Sequence, residues 1–378
     1  MPELLKYFDN GATSFPKPPE VGQFIQNYLA FGGTYGRGGY PRAAESTALV
    51  EQLRDKLAVL FGIGQPENIA FSANSTQAIN TILQGLDLKG KDILISPLEH
   101  NAVTRPLEMI RKTVGTRFHI VSHFSDGLVD IDGLKKQINA RVGLVVINHQ
   151  SNVNGLIQPI AEIKKAIGTI PILVDASQSA GHSNIDCDRL GIDYLAFTGH
   201  KGLMGPTGIG GFYAQNPETI EPLIFGGTGS NSDSFEMPSN LPDKFQAGTP
   251  NMVGTAGLLG ALMANVIPQH SHTSFVEMLL NIKSIEGLEV HCADEKEKQG
   301  ETFSFRYTNE NPGDTAYRLF QLFGLEMRSG LHCAPLAHKT LGSFPLGLVR
   351  ISLSPFHTMD DLDYLTNAIE KASLSRKN

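Results

Sequence analysis

Between residues 68 and 214, short apolar runs and amphipathic segments take turns with little interruption. The apolar runs are "NIAFSA", "DILIS", "RFHIV", "VGLVVIN", "PILVDA", "YLAFTG" and "GIGGFYA". Each is of strand length, and most are apolar throughout, so both faces need cover. Between them, "STQAINTILQGL", "VTRPLEMIRKT", "DIDGLKKQI" and "IAEIKKAIG" carry helical spacing. Strand and helix in alternation predict an α/β fold with a mainly parallel central sheet, covered by helices on both faces. Such sheets bind ligands beyond the carboxyl ends of their strands, so chemistry is to be sought there.

Several strand ends carry polar residues. "YLAFTGHKGLMGPTGIGGFYA", residues 194–214, closes a strand and then sets Lys201 between a histidine and a glycine. A solvated lysine needs no such setting, whereas a lysine that reacts as a free amine at neutral pH does. "PILVDASQSAGH" drives an apolar run into Asp175, a half-buried carboxylate that calls for a cation. "AFSANSTQAIN" opens a helix with Asn74, Ser75 and Thr76, an anion site suited to phosphate. "ILISPLEHNAV" ends near His100, and "VVINHQSNVNG" in a polar cluster. Each has a plainer reading too, as helix cap, turn former or structural histidine. Taken together they supply what pyridoxal phosphate requires: a Schiff-base lysine, an aspartate for the ring nitrogen and a phosphate cradle.

Past residue 214 the texture changes. Residues 226–254 are rich in Gly, Ser, Asn and Pro and read as a long functional loop. "TAGLLGALMANVI" reads as a helix leading to a boundary near Pro268. Beyond it "FVEMLLNIKSI", "TFSFRYT", "DTAYRLFQLFGL", "GLVRISLS" and "MDDLDYLTNAIEKA" suit a smaller α+β unit. The expected division is an N-terminal segment (1–15) joining the small domain, a large cofactor domain (16–265) and a small C-terminal domain (266–378).

A net charge of −7 with no run of Lys or Arg argues against nucleic acid as partner. No G-x-G-x-x-G follows a strand and no GK[ST] is present, so neither dinucleotide nor P-loop chemistry is indicated. The N-terminus has no apolar core and no apolar run spans a bilayer, so a cytoplasmic protein with no membrane partner is expected. The cysteines, Cys187, Cys292 and Cys333, lack framework spacing and point to a reducing compartment. His291-Cys292 and His332-Cys333…His338 lack regular zinc-ligand spacing, so no metal is expected.

"FTGHKGLMGPTGIGG" resembles the lysine motif of class V aminotransferases, and specifically of cysteine desulfurases. The likeness continues through "YFDNGATSFPKP", "NSTQAIN", "EHNAV", "SNVNG", "VDASQSAGH", "FQAGTPN", "RSGLHCAP" and "GLVRISLSPFHT", nearly the whole chain in order. The resemblance implies the fold type I architecture of pyridoxal-phosphate-dependent transferases. It implies a reaction converting L-cysteine to L-alanine, with the sulfur transferred to Cys333 as a persulfide. It also implies that Lys201 forms the Schiff base, that His100 stacks on the ring and that Asp175 pairs with its nitrogen. Asn152 and Gln178 would lie near the ring hydroxyl, and Ser75, Thr76, Thr198 and His200 would hold the phosphate. Gly248 and Thr249 would reach the phosphate of a neighbouring subunit, which implies a homodimer with shared sites. Arg350 would grip the substrate carboxylate, with Asn152 beside it.

The short surround of Cys333 resembles the second subgroup, which is related to selenocysteine lyases. Two departures are visible: Asn74-Ser75-Thr76 where the family usually has Gly-Thr-Thr, and Leu331-His332-Cys333 where the subgroup often has His-His-Cys. Selenocysteine lyase, aminotransferase and epimerase are the alternatives within the class. Arg328 and His332 are the neighbours that would favour a thiolate at Cys333, while Cys187 and Cys292 fit no motif and read as structural. A sulfur-acceptor protein is a further expected partner.

Overall fold

The computed structural model describes residues 5–36 and 38–374. Seven strands form the large sheet: β1 (Ile69–Ser72), β2 (Asp92–Ile95), β3 (Arg117–Ile120), β4 (Val142–Asn148), β5 (Ile172–Asp175), β6 (Tyr194–Thr198) and β7 (Gly210–Ala214). Their order across the sheet is β1-β7-β6-β5-β4-β2-β3. From β6 to β3 every pairing is parallel, whereas β7 runs antiparallel to both β1 and β6. The expected mainly parallel sheet is what forms. β4, β5 and β6 are buried almost throughout, as runs such as "VVIN" and "LAFT" require.

Two buried clusters lie on the two faces of this sheet. One holds Leu94, Val145, Ile147, Val174 and Phe197, and the other Ile93, Val146, Leu173 and Ala196. Alternate residues of one strand therefore enter opposite cores, as the period of two demands. Helices Ser75–Gly85 and Asn101–Val114 cover the second face with Ile79, Ile82, Val103 and Leu107. Pro106 sits inside the latter helix and leaves one interior backbone hydrogen bond unmade.

The helices Pro19–Phe31 and Pro41–Phe61 precede the sheet. The second buries Val50, Leu53, Leu57 and Phe61 at helical spacing, with Ser46 and Arg54 on the same stripe. Arg54 is 1% exposed; its guanidinium donates to the Ile69 carbonyl and stands 4.9 Å over the Phe71 ring. The helix is thereby tied to β1.

A second, antiparallel sheet of four strands follows: β8 (Leu288–His291), β9 (Thr302–Tyr307), β10 (Arg328–Gly330) and β11 (Leu348–Ser352), in the order β10-β11-β9-β8. Helices His272–Lys283, Pro312–Phe323 and Met359–Leu374 pack on it around Phe303, Phe305 and Tyr307. The N-terminal segment joins this body: Phe8 is buried in its core, and Tyr7 and Asp9 bridge to Glu326 and Ser352.

The two bodies touch through tight backbone contacts. Gly155, at φ +75°, lies so close to β9 that a Cβ would stand 1.9 Å from the Thr302 carbonyl oxygen. Gly155→Ala is expected to cost about 2–4 kcal/mol, from the left-handed conformation and the backbone collision together. A thermal denaturation midpoint equal to that of the unaltered protein would contradict this.

Candidate active site

The carboxyl ends of β4, β5 and β6 open onto a cavity of about 290 Å3. Asn148, Asp175 and Thr198 are the terminal residues of those strands, and all line it. Lys201 enters three residues beyond β6, on a turn closed by Gly199 and Gly205, whose amides bond to the Ile209 and Gly199 carbonyls. The N-terminal segment fixes that turn from the other side: Ser14 N donates to the His200 carbonyl at 2.9 Å and Thr13 Oγ1 at 3.1 Å.

Burial is the main reason the Lys201 amine is held down, to about 8; Asp175 opposes the shift, and Arg350 and Arg328 add to it. The free amine therefore grows in as pH rises through about 8, and below that the ammonium dominates. Trapping of an aldehyde by Lys201, quantified by mass spectrometry after borohydride reduction, is expected to accelerate from pH 6.5 to 9 with a midpoint near this value. A midpoint at the ordinary lysine value, near 10.4, would contradict the stated environment.

Asp175 is 2% exposed, and its Oδ1 accepts from both the amide and the hydroxyl of Ser177. Ser177 Oγ is in turn bonded to Ser75 Oγ at 2.8 Å, so a hydroxyl chain links Asp175 to the start of helix Ser75–Gly85. Asn74 is the cap of this helix: its Oδ1 accepts from Gln77 N at 3.0 Å. The side chain of Asn74 is thus occupied, and Ser75 and Thr76 line the cavity with the free amides of a helix start.

His100 caps the helix Asn101–Val114 with its ring, Nδ1 accepting from Ala102 N at 3.0 Å. Burial, then the charge of Lys201, lowers its pKa to about 4, so at neutral pH it is an uncharged ring with its proton on Nε2. Burial likewise lowers His200 to about 4. Gln178 Nε2 donates to the Gly11 carbonyl at 2.9 Å. Asn152 Nδ2 donates to the His332 carbonyl at 2.8 Å.

Arg350 rises into the cavity from β11, 1% exposed. Its Nη2 meets Asp9 Oδ1 at 2.5 Å and its Nη1 donates to the Asn152 carbonyl at 3.3 Å. Arg328, its cross-strand partner on β10, reaches Cys333 Sγ at 3.8 Å. Cys333 is exposed, and both it (φ 55°) and His332 (φ 48°) sit in the left-handed region. Such conformations cost about 1–3 kcal/mol each and persist only where surroundings impose them. Here the bond from Asn152 to the His332 carbonyl and one from Asn101 N to the Cys333 carbonyl, at 2.8 Å, pin the turn.

His332 does not supply charge to the sulfur. It is buried, its Nε2 points at the Arg328 carbonyl at 3.2 Å, and burial lowers its pKa to about 2. Of the two neighbours singled out in the sequence, only Arg328 is a cation at Cys333. Cys187 is fully buried and its thiol is pushed up by that burial, while Cys292 faces Lys283.

The structure thus gathers Ser75, Thr76, His100, Asn152 and Asp175 around one space. Gln178, Thr198, His200, Lys201 and Arg350 share it. Gly248 and Thr249 are elsewhere, exposed on a separate depression with Phe71, Gln77 and Phe245. Two residues with a part in the site went unassigned in the sequence. Asp9 holds Arg350, and only its place in "YFDNGATSFPKP" could have signalled that. Glu99, fully buried, accepts from Ser96 Oγ and Asn148 N at 2.7 Å each, and burial pushes its carboxyl up to about 8.

A cofactor of the pyridoxal phosphate type fits this space on the evidence of its walls. Thr198 Oγ1, His200 Nδ1, Asn148 Oδ1 and Asn152 Oδ1 are buried polar atoms without a partner among the described residues. Buried polar atoms are normally satisfied, so their convergence marks a ligand. Three cations (Lys201, Arg328, Arg350) against one carboxylate (Asp175) line the cavity, a surplus suited to an anion.

The architecture and its strand-end lysine define a pyridoxal-phosphate-dependent enzyme of fold type I. The Aminotransferase class-V family model matches residues 6–365, and the chain belongs to that family. Among its curated relatives, a probable cysteine desulfurase of Halalkalibacterium halodurans is 31% identical, over 97% of this chain and 93% of its own length. A probable cysteine desulfurase of Methanothermobacter thermautotrophicus is 30% identical, over 97% of this chain and 94% of its own length. The apo structure of a cysteine desulfurase from Thermococcus onnurineus superposes with a TM-score of 0.90 at 28% identity, covering 98% of this chain and 94% of that one.

Proposed function

We propose that this chain is a cysteine desulfurase that uses pyridoxal phosphate to convert L-cysteine to L-alanine and takes the sulfur onto Cys333. The observation that carries the reading is Lys201, with its lowered pKa, opposite the buried Asp175 in a cation-rich cavity whose Arg328 reaches an exposed cysteine. The relatives named cysteine desulfurase, matched along nearly their whole length, support it.

Ser75, Thr76, Thr198 and His200 would hold the phosphate, Asp175 the ring nitrogen, and His100, an uncharged ring, the ring face. Asn152 and Gln178 would lie at the ring hydroxyl. The cofactor, when bound, supplies an electron sink for the bonds around the substrate's Cα. Arg350 binds the substrate carboxylate, and its buried clamp by Asp9 and the Asn152 carbonyl fixes where that carboxylate sits. Lys201 Nζ removes the Cα proton and later returns one. Cys333 attacks as a thiolate, the nucleophilic form of the thiol, with Arg328 beside it. The substrate Cβ–S bond breaks, its electron pair stays on carbon, which takes a proton, and an S–S bond forms on Cys333. The thiol proton lost by Cys333 balances the proton gained by carbon, so no external oxidant is consumed.

The reading includes a second copy of the chain. Gly248 and Thr249 lie outside their own cavity, exposed in a depression that Ile224 also lines. A homodimer that presents them to the partner's phosphate site would cover these residues. A cytoplasmic location belongs to the same reading; among the described residues no helix is long and apolar enough to cross a membrane.

The test is product identification from L-cysteine and L-selenocysteine in parallel, with mass spectrometry of the protein. Stoichiometric alanine from cysteine and a persulfide on Cys333 are expected. Turnover of selenocysteine alone would assign the lyase activity instead, and amino-group transfer to a keto acid would assign an aminotransferase.

A further inference from the structure

Lys201 faces a second space. Together with Gln178, His182, Gly202 and Glu301 it lines a small cavity of about 20 Å3 behind the one already described. A single water needs roughly 10–15 Å3, so about one fits. Beyond lies an outer cavity of about 420 Å3, and Gln150, His182, Gly202 and Glu301 line both. Gln150 is 4% exposed, and its buried Oε1 has no partner among the described residues, as expected of a group that meets water there.

The contacts that join these spaces are close and rigid. A Cβ on Gly202 would stand 2.6 Å from Cδ2 and 2.7 Å from Nε2 of His182, so the His182 ring lies directly against the residue after Lys201. A Cβ on Gly181, at φ +88°, would stand 2.4 Å from the Gly202 carbonyl oxygen. Neither position has room for a side chain. Glu301 faces three histidines: burial would raise its carboxyl, but a bond from His270 and the fields of His270, His182 and His272 hold it low. His182 is solvent-exposed as a residue; partial desolvation of its ring lowers its pKa, with Glu301 opposing, so it is mainly uncharged at neutral pH. An uncharged imidazole has a proton on one nitrogen and a lone pair on the other, which suits a relay.

Resting on the desulfurase reading above, substrate and cofactor fill the front cavity during turnover and close that route to water. We propose that Lys201 exchanges its proton with solvent through the rear, by way of the small cavity, His182 and Glu301. The Cα proton held on Lys201 Nζ passes to water in the small cavity and then to the free nitrogen of His182. The ring releases its other proton to Glu301 or to the outer cavity, and delivery to Lys201 runs in reverse. Protons alone move, and no electrons are exchanged. His182 and Glu301 are positioning residues in this scheme, since neither touches substrate.

The experiment uses the holoenzyme and L-cysteine deuterated at Cα, in ordinary water, with the alanine analysed for deuterium at Cα. In the unaltered enzyme little deuterium is expected to survive. His182→Gln and Glu301→Gln are expected to retain severalfold more, because the deuteron stays on Lys201 long enough to return to carbon. Glu297→Gln, on the outer cavity alone, is expected to match the unaltered enzyme. Retention is a partition ratio: loss of folded enzyme would not move it, and a slower return to carbon would lower it rather than raise it. A crystal structure of the unaltered holoenzyme is expected to show an ordered water in the small cavity. Retention unchanged in both relay variants, or a dry small cavity, would overturn the rear path while leaving the desulfurase reading intact. If the unaltered enzyme forms no alanine from cysteine, the desulfurase reading fails and the rear path falls with it.

Discussion

Lys201→Ala is expected to lower conversion of L-cysteine by on the order of 10^4-fold or more, because on the proposed reading it removes the general base and the point of covalent attachment together. The base contributes roughly 10^2–10^4-fold by itself where it is well placed. The loss should not reflect unfolding. Lys201 is an amine that burial has already made less basic, and Asp175 keeps its hydrogen bonds from Ser177 without it. A thermal midpoint close to that of the unaltered protein, together with partial rescue by added methylamine, would separate a missing amine from a damaged fold. Residual activity within about tenfold of the unaltered protein would mean that another group is the base.

Cys333→Ser is expected to abolish alanine formation by on the order of 10^3-fold or more, since a hydroxyl near neutral pH is not a sulfur nucleophile. Because Cys333 is exposed and its side chain meets Arg328 rather than Lys201, aldehyde trapping at Lys201 is expected to stay intact in this variant. The two substitutions therefore fail at different stages. Alanine produced at an undiminished rate by Cys333→Ser would remove the cysteine from the reaction and leave the substrate sulfur to depart by another route.

The sheet could be read in advance because β4, β5 and β6 are buried on both faces and leave no polar alternation to confuse the pattern. Their terminal residues were legible for the same reason: a polar side chain ending an apolar run must find a partner. The direction of β7 was not legible, because an apolar strand carries no mark of parallel or antiparallel pairing. The helix Pro41–Phe61 is obscured by Ser46 and Arg54 on its buried stripe, and Arg54 is affordable there only through the Ile69 carbonyl, Gln246 and Glu51. β8 is partly exposed along its length and β10 is short, so neither has a periodic signature. Within the site, the pairing of Asp9 with Arg350 spans 341 residues and is visible only once β11 meets the N-terminal segment. The role offered to His332 failed on orientation: spacing places it beside Cys333, but its ring turns to a carbonyl and stays neutral.

The most direct measurement is borohydride reduction of the protein as purified, followed by peptide mass spectrometry. The account predicts a yellow protein that loses its colour on reduction, with a pyridoxyl group on Lys201 and on no other lysine. A colourless protein whose Lys201 peptide has its unmodified mass after incubation with pyridoxal phosphate would contradict it.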